Sequence, residues 1–365
     1  MSAAIDRLKG RGFRILAGAL AVLVVAAGTL YFTGTYDRWQ DGRALSRACD
    51  GIVPQKELHE LLGVDGRLTS DQAWKSSARD GRKCVIYPPD EPEHVNHAFL
   101  VVTLGQDRDS QQLLDDLERR TTDISAQSVS PIGSGWRGVL STVAVTEPRA
   151  TVVMPCGGGA RNDLVVNLQA SPRNPGRYAP EQRTRLARIA TQTAANAAEQ
   201  AGCKTSPGKK IGHVPGAVID TEAAGSSATA AGKATGTCAG IDAPTRETAA
   251  DRLAPIEDCL VLDKKGEPAF RLAAYYGPFV QNGRVGTSRH FFFTKPSGDL
   301  DGVLYWTTLA CPKQGGSAFY TAETVRSDGS LTKPDPAQRS ALARFAERSA
   351  GAHGCNPVPG HTSTP

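Results

Sequence analysis

The chain has 365 residues, of which 22% are charged and 40% are hydrophobic, and its formal net charge at pH 7 is +5. This balance is typical of folded globular domains and excludes an intrinsically disordered chain. Four basic residues and one aspartate among the first 14 residues supply +3 of that charge. The remainder is nearly neutral, and nothing in the sequence indicates the basic face that a nucleic-acid partner would need, so we expect no such partner. The length predicts two domains of ordinary size.

The N-terminal segment has the pattern of a membrane anchor. A basic stub over residues 1–14 precedes an apolar run without charges over residues 15–32, and aromatic residues follow it. Such a run is just long enough to cross a hydrocarbon core of about 30 Å. We predict a cytoplasmic stub over 1–14, a transmembrane signal-anchor over 15–33 and a juxtamembrane stalk over 34–48. The basic flank places the N-terminus in the cytoplasm and the rest of this single-pass membrane protein outside the cell.

A cleaved signal peptide is the alternative interpretation of this segment. Val25, Ala26 and Ala27 form a small-residue sequence of the kind that signal peptidases cut. The apolar run continues beyond these residues, which favours an uncleaved anchor. Both interpretations predict export of the chain that follows.

The eight cysteines form two sets of four, and the same local sequence recurs in both sets. Cys49-Asp50-Gly51-Ile52 matches Cys238-Ala239-Gly240-Ile241, and the segment that begins at Pro180 matches the one that begins at Pro336. We therefore predict two homologous extracytoplasmic units over 49–203 and 238–355. A Gly/Ala/Ser-rich stretch over 204–237 is predicted to be a flexible linker, and residues 356–365 form a tail.

Structural disulfide bonds are the favoured role of the cysteines. An even count in an exported chain is typical of disulfides, and the sequence has no Cys-x-x-Cys pair for metal binding or redox chemistry. Each unit must have folded alone when the duplication arose, so pairing inside each unit is preferred. Four cysteines allow three pairings, and the sequence leaves the connectivity open. The pairing that we favour is Cys49–Cys84, Cys156–Cys203, Cys238–Cys259 and Cys311–Cys355.

The periodicity of the first unit predicts a mixture of helices and strands. Helices are expected over 54–62, 110–120 and 180–201, the last with an apolar face at spacings of three and four residues. Strands are expected over 83–87, 97–104, 138–146, 150–154 and 164–168.

The second unit repeats this plan over a shorter length. Strands are expected over 259–262, 269–276, 290–294, 303–309 and 318–325, and a closing helix over 336–352. The predicted fold class is therefore α+β, with two tandem domains. Each domain is an antiparallel sheet that carries a C-terminal helix and two disulfides.

Two constellations resemble metal sites but have simpler interpretations. His94 and His97 follow three acidic residues, yet the prolines around them favour a solvated turn. Asp299 and Asp301 resemble the start of a calcium loop, but no acidic residue follows at the required distance. We predict no metal and no cofactor.

Two further motifs are candidates for anion binding and catalysis. The glycines after Cys156, and the related glycines after Cys311, are candidates for a backbone nest that binds an anion, although a hairpin is the simpler interpretation in both units. Ser206 and Lys209 have a Ser-x-x-Lys spacing, but they lie in the predicted linker. No catalytic residue is identified.

The second unit is enriched in aromatic residues. Their favoured role is in a core with a helix-covered second face, and the alternatives are a binding groove or a contact between domains. The residues in question are Tyr275, Tyr276, Phe279, Phe291, Phe292, Phe293, Tyr305, Trp306, Phe319 and Tyr320.

The layout resembles membrane-anchored or lipoprotein-like extracytoplasmic proteins of actinobacteria, a group of unassigned function. The shared features are the basic stub with one span, the Cys49-x-x-Ile52 start, and a Pro54-led helix that ends at Leu61-Leu62-Gly63. The chain departs from the lipoprotein pattern because no cysteine lies at the end of the apolar run. The resemblance implies no catalytic residues.

Structural residues are duplicated in the two units, whereas no polar constellation is. This contrast favours a membrane-anchored binding or interaction module of the cell envelope, with an envelope protein or the cell wall as its partner. The alternative is an envelope enzyme of the hydrolase type, whose site would be assembled from residues scattered along the sequence.

Overall fold

The computed structural model of the protein describes residues 45–70, 75–77, 81–89, 98–106, 129–142, 148–157, 163–173, 180–214, 228–280, 285–286, 291–292, 295–300, 304–312, 316–324 and 336–357. The predicted stub, the predicted span over 15–33 and the predicted helix over 110–120 lie outside these ranges. Within them, no helix is both long enough and apolar enough to cross a membrane.

The first half of the described chain contains eight strands and two α-helices. Its helices are α1 (Leu58–Leu62) and α2 (Pro180–Gln200), and a short 3-10 helix spans Ala48–Gly51. Its strands are β1 (Thr69–Ser70), β2 (Lys75–Ser77), β3 (Gly81–Tyr87), β4 (Phe99–Gln106), β5 (Val129–Pro131), β6 (Gly138–Thr142), β7 (Pro148–Met154) and β8 (Leu164–Ser171).

The second half of the described chain is built from eight more strands and one helix. The strands are β9 (Thr245–Glu247), β10 (Ile256–Leu262), β11 (Pro268–Tyr275), β12 (Val285–Gly286), β13 (Phe291–Phe292), β14 (Ser297–Leu300), β15 (Leu304–Cys311) and β16 (Gly316–Thr324). The helix is α3 (Pro336–His353).

The two large sheets share one antiparallel topology. Among the described residues, the first sheet has the order β1-β3-β4-β8-β7-β6-β5, with β2 also paired to β3, and the second has the order β14-β15-β16-β11-β10-β9. Strands β3-β4-β8-β7-β6 therefore correspond in order to β10-β11-β16-β15-β14. The hairpins predicted after Cys156 and Cys311 lie within this shared part, as β7–β8 and β15–β16. The predicted α+β class, with antiparallel sheets and a C-terminal helix, is confirmed.

Each long helix covers one face of its sheet. Helix α2 packs on β7 and β8, and helix α3 packs on β11, β15 and β16. The residues of α2 that were predicted to face the core are buried, as the period of 3.6 residues requires. They are Leu186, Ile189, Ala190, Thr193, Ala194 and Ala197.

Both long helices end in the same way, at a glycine followed by a cysteine. Gly202 and Gly354 each have φ of 70°, in the left-handed region where glycine carries no steric penalty. The next residue, Cys203 or Cys355, donates its backbone N–H to a carbonyl five residues earlier at 2.9 Å. This turn points each cysteine toward the sheet.

The four predicted disulfides are present. The bonded pairs are Cys49–Cys84, Cys156–Cys203, Cys238–Cys259 and Cys311–Cys355. In each half, the second bond joins the end of the long helix to the end of a central strand.

The sheet faces that carry no helix pack against each other. Val139 and Val153 of the first sheet contact an aromatic cluster of the second, and the backbone N–H of Val129 donates to Asp258 Oδ2 at 3.2 Å. The layers therefore follow the order helix, sheet, sheet, helix. Strand alternation divides the aromatic residues between the two sides of the second sheet. Tyr276, Tyr305 and Tyr320 lie under α3, whereas Tyr275, Phe279, Trp306 and Phe319 lie between the sheets.

The connecting segments contain packed residues that their sequence does not indicate. Within the stretch expected to be a flexible linker over 204–237, Ile211, Val214 and Thr237 are buried, and Thr229 forms a β-bridge with Thr245. The end of the expected stalk is also packed, because Leu45 and Ala48 belong to the first core. The helix expected from Pro54 begins only at Leu58, although it ends at Gly63 as predicted.

Candidate functional site

Few of the motifs noted in the sequence form a site in the structure. His94, His97, Asp301 and the glycines at 158 and 159 lie outside the described residues, and every cysteine is in a disulfide. In the part of the chain that the structure describes, no group of three or more His, Cys, Asp or Glu side chains is arranged to hold a metal ion.

A cleft of about 550 Å³ lies beside helix α2. One wall is the exposed side of α2, and the other elements are the turn that precedes α1, the loop that carries Trp136, and residues 207–211. Its lining includes Lys56, Glu57, Trp136, Arg188, Ile189, Thr191, Gln192, Ala195, Lys209, Lys210 and Ile211. We call this the α2 cleft.

Trp136 is placed in the cleft by a tight turn. Gly133, Ser134 and Gly135 all have positive φ, and the N–H of Trp136 donates to Gly133 O at 3.0 Å. Glycine adopts this conformation without steric cost, whereas Ser134 is a non-glycine residue in the left-handed region. The Gly-Ser-Gly-Trp sequence is a turn signal that pattern reasoning on strands and helices passes over.

Residues 204–214, which we call the strap, are held across the cleft by backbone hydrogen bonds. Trp136 Nε1 donates to Lys209 O at 2.8 Å, and Lys209 N donates to Ser134 O at 2.8 Å. Arg188 Nε donates to Ile211 O at 2.8 Å, and its guanidinium also donates to Gly212 O at 3.2 Å. The strap is therefore fixed to both the Trp136 loop and α2.

Replacing Gly208 by alanine is expected to detach the strap from Trp136. A Cβ at residue 208 would lie 2.4–2.7 Å from three atoms of the indole ring, so the backbone must shift, at a cost of about 1–3 kcal/mol. Gly212→Ala is the matched control, because a Cβ there meets nothing within 4 Å. Proteolysis within the strap and thermal unfolding measure the effect. Equal behaviour of the two variants would contradict this packing.

The cleft has an excess of positive charge. Its lining includes Lys56, Arg188, Lys209 and Lys210 but a single carboxylate, Glu57. Arg188 is engaged with the strap, and its NH1 lies 3.6 Å from Glu57 Oε2. The three lysines are exposed, and within the described residues their ammonium groups form no ion pair.

The interior of the cleft is mainly apolar. Its apolar lining comprises Pro54, Ala195 and Pro207, which are partly or fully exposed, and the buried residues Trp136, Ile189 and Ile211 of the first core. The polar groups of α2 beside them are already bonded within the protein: Thr191 Oγ1 donates to Ala187 O at 2.8 Å, and Gln192 Nε2 donates to Asn196 Oδ1 at 2.9 Å. The lining therefore offers no nucleophile beside a general base.

A second polar constellation lies under helix α3, around Glu257. Arg348 and Ser349 each donate to Glu257 Oε2 at 2.7 Å, and His353 Nε2 lies 3.3 Å from Oε1. The His353 ring stacks on Tyr276 with centroids 3.7 Å apart. Burial by itself raises the pKa of Glu257, but the hydrogen bond with His353 and the charge of Arg348 outweigh it and hold that pKa below its usual value.

This Glu257 network has the residue types of a hydrolase but not its geometry. A catalytic base must bond the nucleophile, whereas Ser349 and His353 both bond the carboxylate. Ser349, His353 and Glu257 are all buried. The network therefore joins β10 to α3 and presents no reactive group to a ligand.

The spacing of residues in the sequence indicates part of this network. Ser349 and His353 are four residues apart on α3 and so share a helix face. Glu257 lies two residues before Cys259. The residue at the same distance before Cys84 is Arg82, which forms an exposed ion pair with Asp50.

Comparison with family models, with curated proteins and with solved structures finds no match for this chain. The resemblance to actinobacterial envelope proteins therefore stays an expectation. The functional proposals that follow rest on the residues of the α2 cleft.

Proposed function

We propose that this protein is an extracytoplasmic binding protein, anchored in the cell membrane through residues 15–33, which holds a small ligand in the α2 cleft. The observation that carries the proposal is the cleft itself: an apolar interior with a cationic rim, closed on one side by a strap that is bonded to two other elements. The four disulfides support an oxidising, extracytoplasmic location.

The size and walls of the cleft suit a ligand of low molecular weight. Small-molecule sites commonly measure about 300–1,000 Å³ and combine apolar walls with a few polar groups. The α2 cleft falls within this range at about 550 Å³. Its walls are held by backbone hydrogen bonds from the strap, so the cleft is formed before a ligand arrives and little ordering is required on binding.

The lining favours binding over the alternative of an envelope hydrolase. The hydroxyl of Thr191 is bonded to the helix backbone, and the carboxylate of Glu57 lies 3.6 Å from Arg188 Nη1, so its neighbour is a cation and not a nucleophile. Hydrolysis needs a nucleophile or an activated water close to a base. The ligand is therefore proposed to come from the cell envelope or cell wall and to be held without chemical change.

Replacing Ala195 by phenylalanine is expected to block the cleft. Ala195 lines it from the half-buried side of α2, at the edge of the first core, and a phenyl ring there is expected to occupy ligand space. Ala201→Phe is the matched control at an exposed position beyond the end of α2. Saturation-transfer NMR with a library of water-soluble fragments, neutral and charged, should find ligands that Ala195→Phe weakens by about tenfold or more, or about 1.4 kcal/mol.

The control variant should keep the wild-type affinities, and both variants should unfold at nearly the wild-type temperature. Two results would contradict the proposed function. One is a library from which nothing binds the wild type. The other is a set of ligands that bind Ala195→Phe as tightly as they bind Ala201→Phe.

A further inference from the structure

We propose that the ligand of the α2 cleft is an amphiphilic organic anion, with an apolar body against the interior and a carboxylate or phosphate group facing Lys56, Lys209 and Lys210. This inference rests on the proposed binding function and specifies its ligand class. Three features of the cleft support it: the charge of its rim, the engagement of its polar groups, and the placement of its apolar surface.

The rim supplies positive charge that the protein does not neutralise. Of the four cations in the lining, Arg188 is committed to the carbonyls of Ile211 and Gly212 and to Glu57. The three lysines have no such commitment within the described residues. Lysines that line one cleft raise the local concentration of anions, and each ammonium group offers three donors to a carboxylate or phosphate.

The strap brings two of these lysines to the cleft by its backbone. Lys209 is fixed at both its N–H and its carbonyl, by Ser134 O and by Trp136 Nε1. Its side chain takes no part in that anchoring and stays exposed, as does the side chain of Lys210. The positions of these two residues are thus set by the fold, while their ammonium groups are left for a ligand.

The interior disfavours a polar ligand body such as a neutral sugar. A buried polar group needs a partner, or its desolvation is not compensated. Two side chains of α2 that could supply partners are already used, since Thr191 bonds Ala187 O and Gln192 bonds Asn196. The apolar lining that has accessible surface comes from Pro54, Ala195 and Pro207, and an apolar body matches it.

The inference is tested with four small probes and the full-length protein in mild detergent. Three probes share one six-membered ring: cyclohexyl phosphate, cyclohexanecarboxylate and cyclohexanol. Inorganic phosphate is the fourth. All are soluble in water, so that detergent micelles do not compete for them. Calorimetric titration measures binding to the wild type, to the double variant Lys209→Gln/Lys210→Gln and to Lys264→Gln/Lys265→Gln, a control pair of adjacent lysines that are exposed outside the cleft.

At least one ring anion is expected to bind more tightly than cyclohexanol and than inorganic phosphate, by about tenfold or more in affinity. Lys209→Gln/Lys210→Gln should remove that advantage, and the control pair should keep it. Higher salt should weaken the binding of the ring anions and leave the binding of cyclohexanol unchanged. A preference for cyclohexyl phosphate would identify a phosphate ester as the source, and a preference for the carboxylate would identify an organic acid.

The failures of the two proposals differ. Binding of cyclohexanol as tightly as both anions, with loss in Ala195→Phe, would overturn the anionic ligand and leave the binding function standing. Inorganic phosphate binding as tightly as the ring anions would overturn the apolar body. Binding of the probes that Ala195→Phe leaves unchanged, or no binding of any probe, would overturn the inference. The fragment library then decides whether the cleft binds another class.

Discussion

Replacing Glu257 by alanine is expected to lower the free energy of unfolding by about 3–5 kcal/mol, the usual cost of removing one partner from a buried ionic group. The carboxylate accepts hydrogen bonds from Arg348 and Ser349 and lies 3.3 Å from His353 Nε2. Its side chain and that of His353 are each 1% exposed. The substitution therefore leaves polar groups of α3 buried without their acceptor. Urea unfolding of the full chain measures the loss.

Arg82→Ala is the matched control for Glu257→Ala. Arg82 lies at the corresponding position before Cys84, but its ion pair with Asp50 is about half exposed, at 49% and 51% of the two side chains. Exposed pairs contribute about 0–1 kcal/mol. If Glu257→Ala were no more destabilising than Arg82→Ala, the buried network would not stabilise the second sheet as described.

The contribution of Glu257 to stability is expected to change with pH in a definite direction. The folded-state pKa of Glu257 lies below its ordinary value of 4.5, so the folded state binds fewer protons than the unfolded state. The contribution of Glu257 is therefore complete above about pH 4.5 and is lost as the pH falls through the folded pKa. Glu257→Gln has no such proton uptake and should lose less stability on acidification. Parallel curves for wild type and variant between pH 7 and pH 3 would refute this.

Replacing Cys156 and Cys203 together by alanine is expected to cost about 4 kcal/mol, because this bond closes a long loop in the unfolded chain. The two cysteines are 47 residues apart. The bond also holds the end of α2, which forms one wall of the cleft, against the sheet. The loss is measured by urea unfolding, with non-reducing peptide mapping of the wild type to establish the bond.

The second half of the chain provides the control for this disulfide. Cys238 and Cys259 are 21 residues apart, and the same relation gives about 3 kcal/mol for their removal. Reduction of the wild type should cost at least as much as either double substitution. A loss below about 1 kcal/mol for Cys156→Ala/Cys203→Ala would show that the bond does not restrict the unfolded chain as expected.

Elements with strong local periodicity were predicted well from the sequence. The expected helix over 180–201 is α2 (Pro180–Gln200), the expected strand over 259–262 falls within β10, and the one expected over 318–325 overlaps β16 (Gly316–Thr324). Their residues alternate or repeat at the period of the element, so a few neighbours along the chain are enough to reveal it. The repeated sets of cysteines predicted that each bond closes within one set, but four cysteines still allow three pairings, and the structure shows which one forms.

The strap escaped prediction because its packing has no local signature. Composition made residues 204–214 resemble a linker, and periodicity offered nothing to contradict it. The bond between Trp136 and Lys209 O joins residues 73 positions apart, and the contacts that bury Ile211 and Val214 come from distant elements. The conformation of such a segment is set by the surface on which it packs and not by its own secondary-structure propensities.

The sequence by itself determined the α+β class, the grouping of the cysteines into two sets of four and the positively charged N-terminal stub, because these depend on spacing and composition along one chain. Only the tertiary structure decided that Lys56, Lys209 and Lys210 surround one apolar cleft and that Glu257 meets three residues of α3. The Glu257 contacts join residues 91–96 positions apart. Long-range contacts of this kind form only when the layers pack, and sequence pattern carries little information about them.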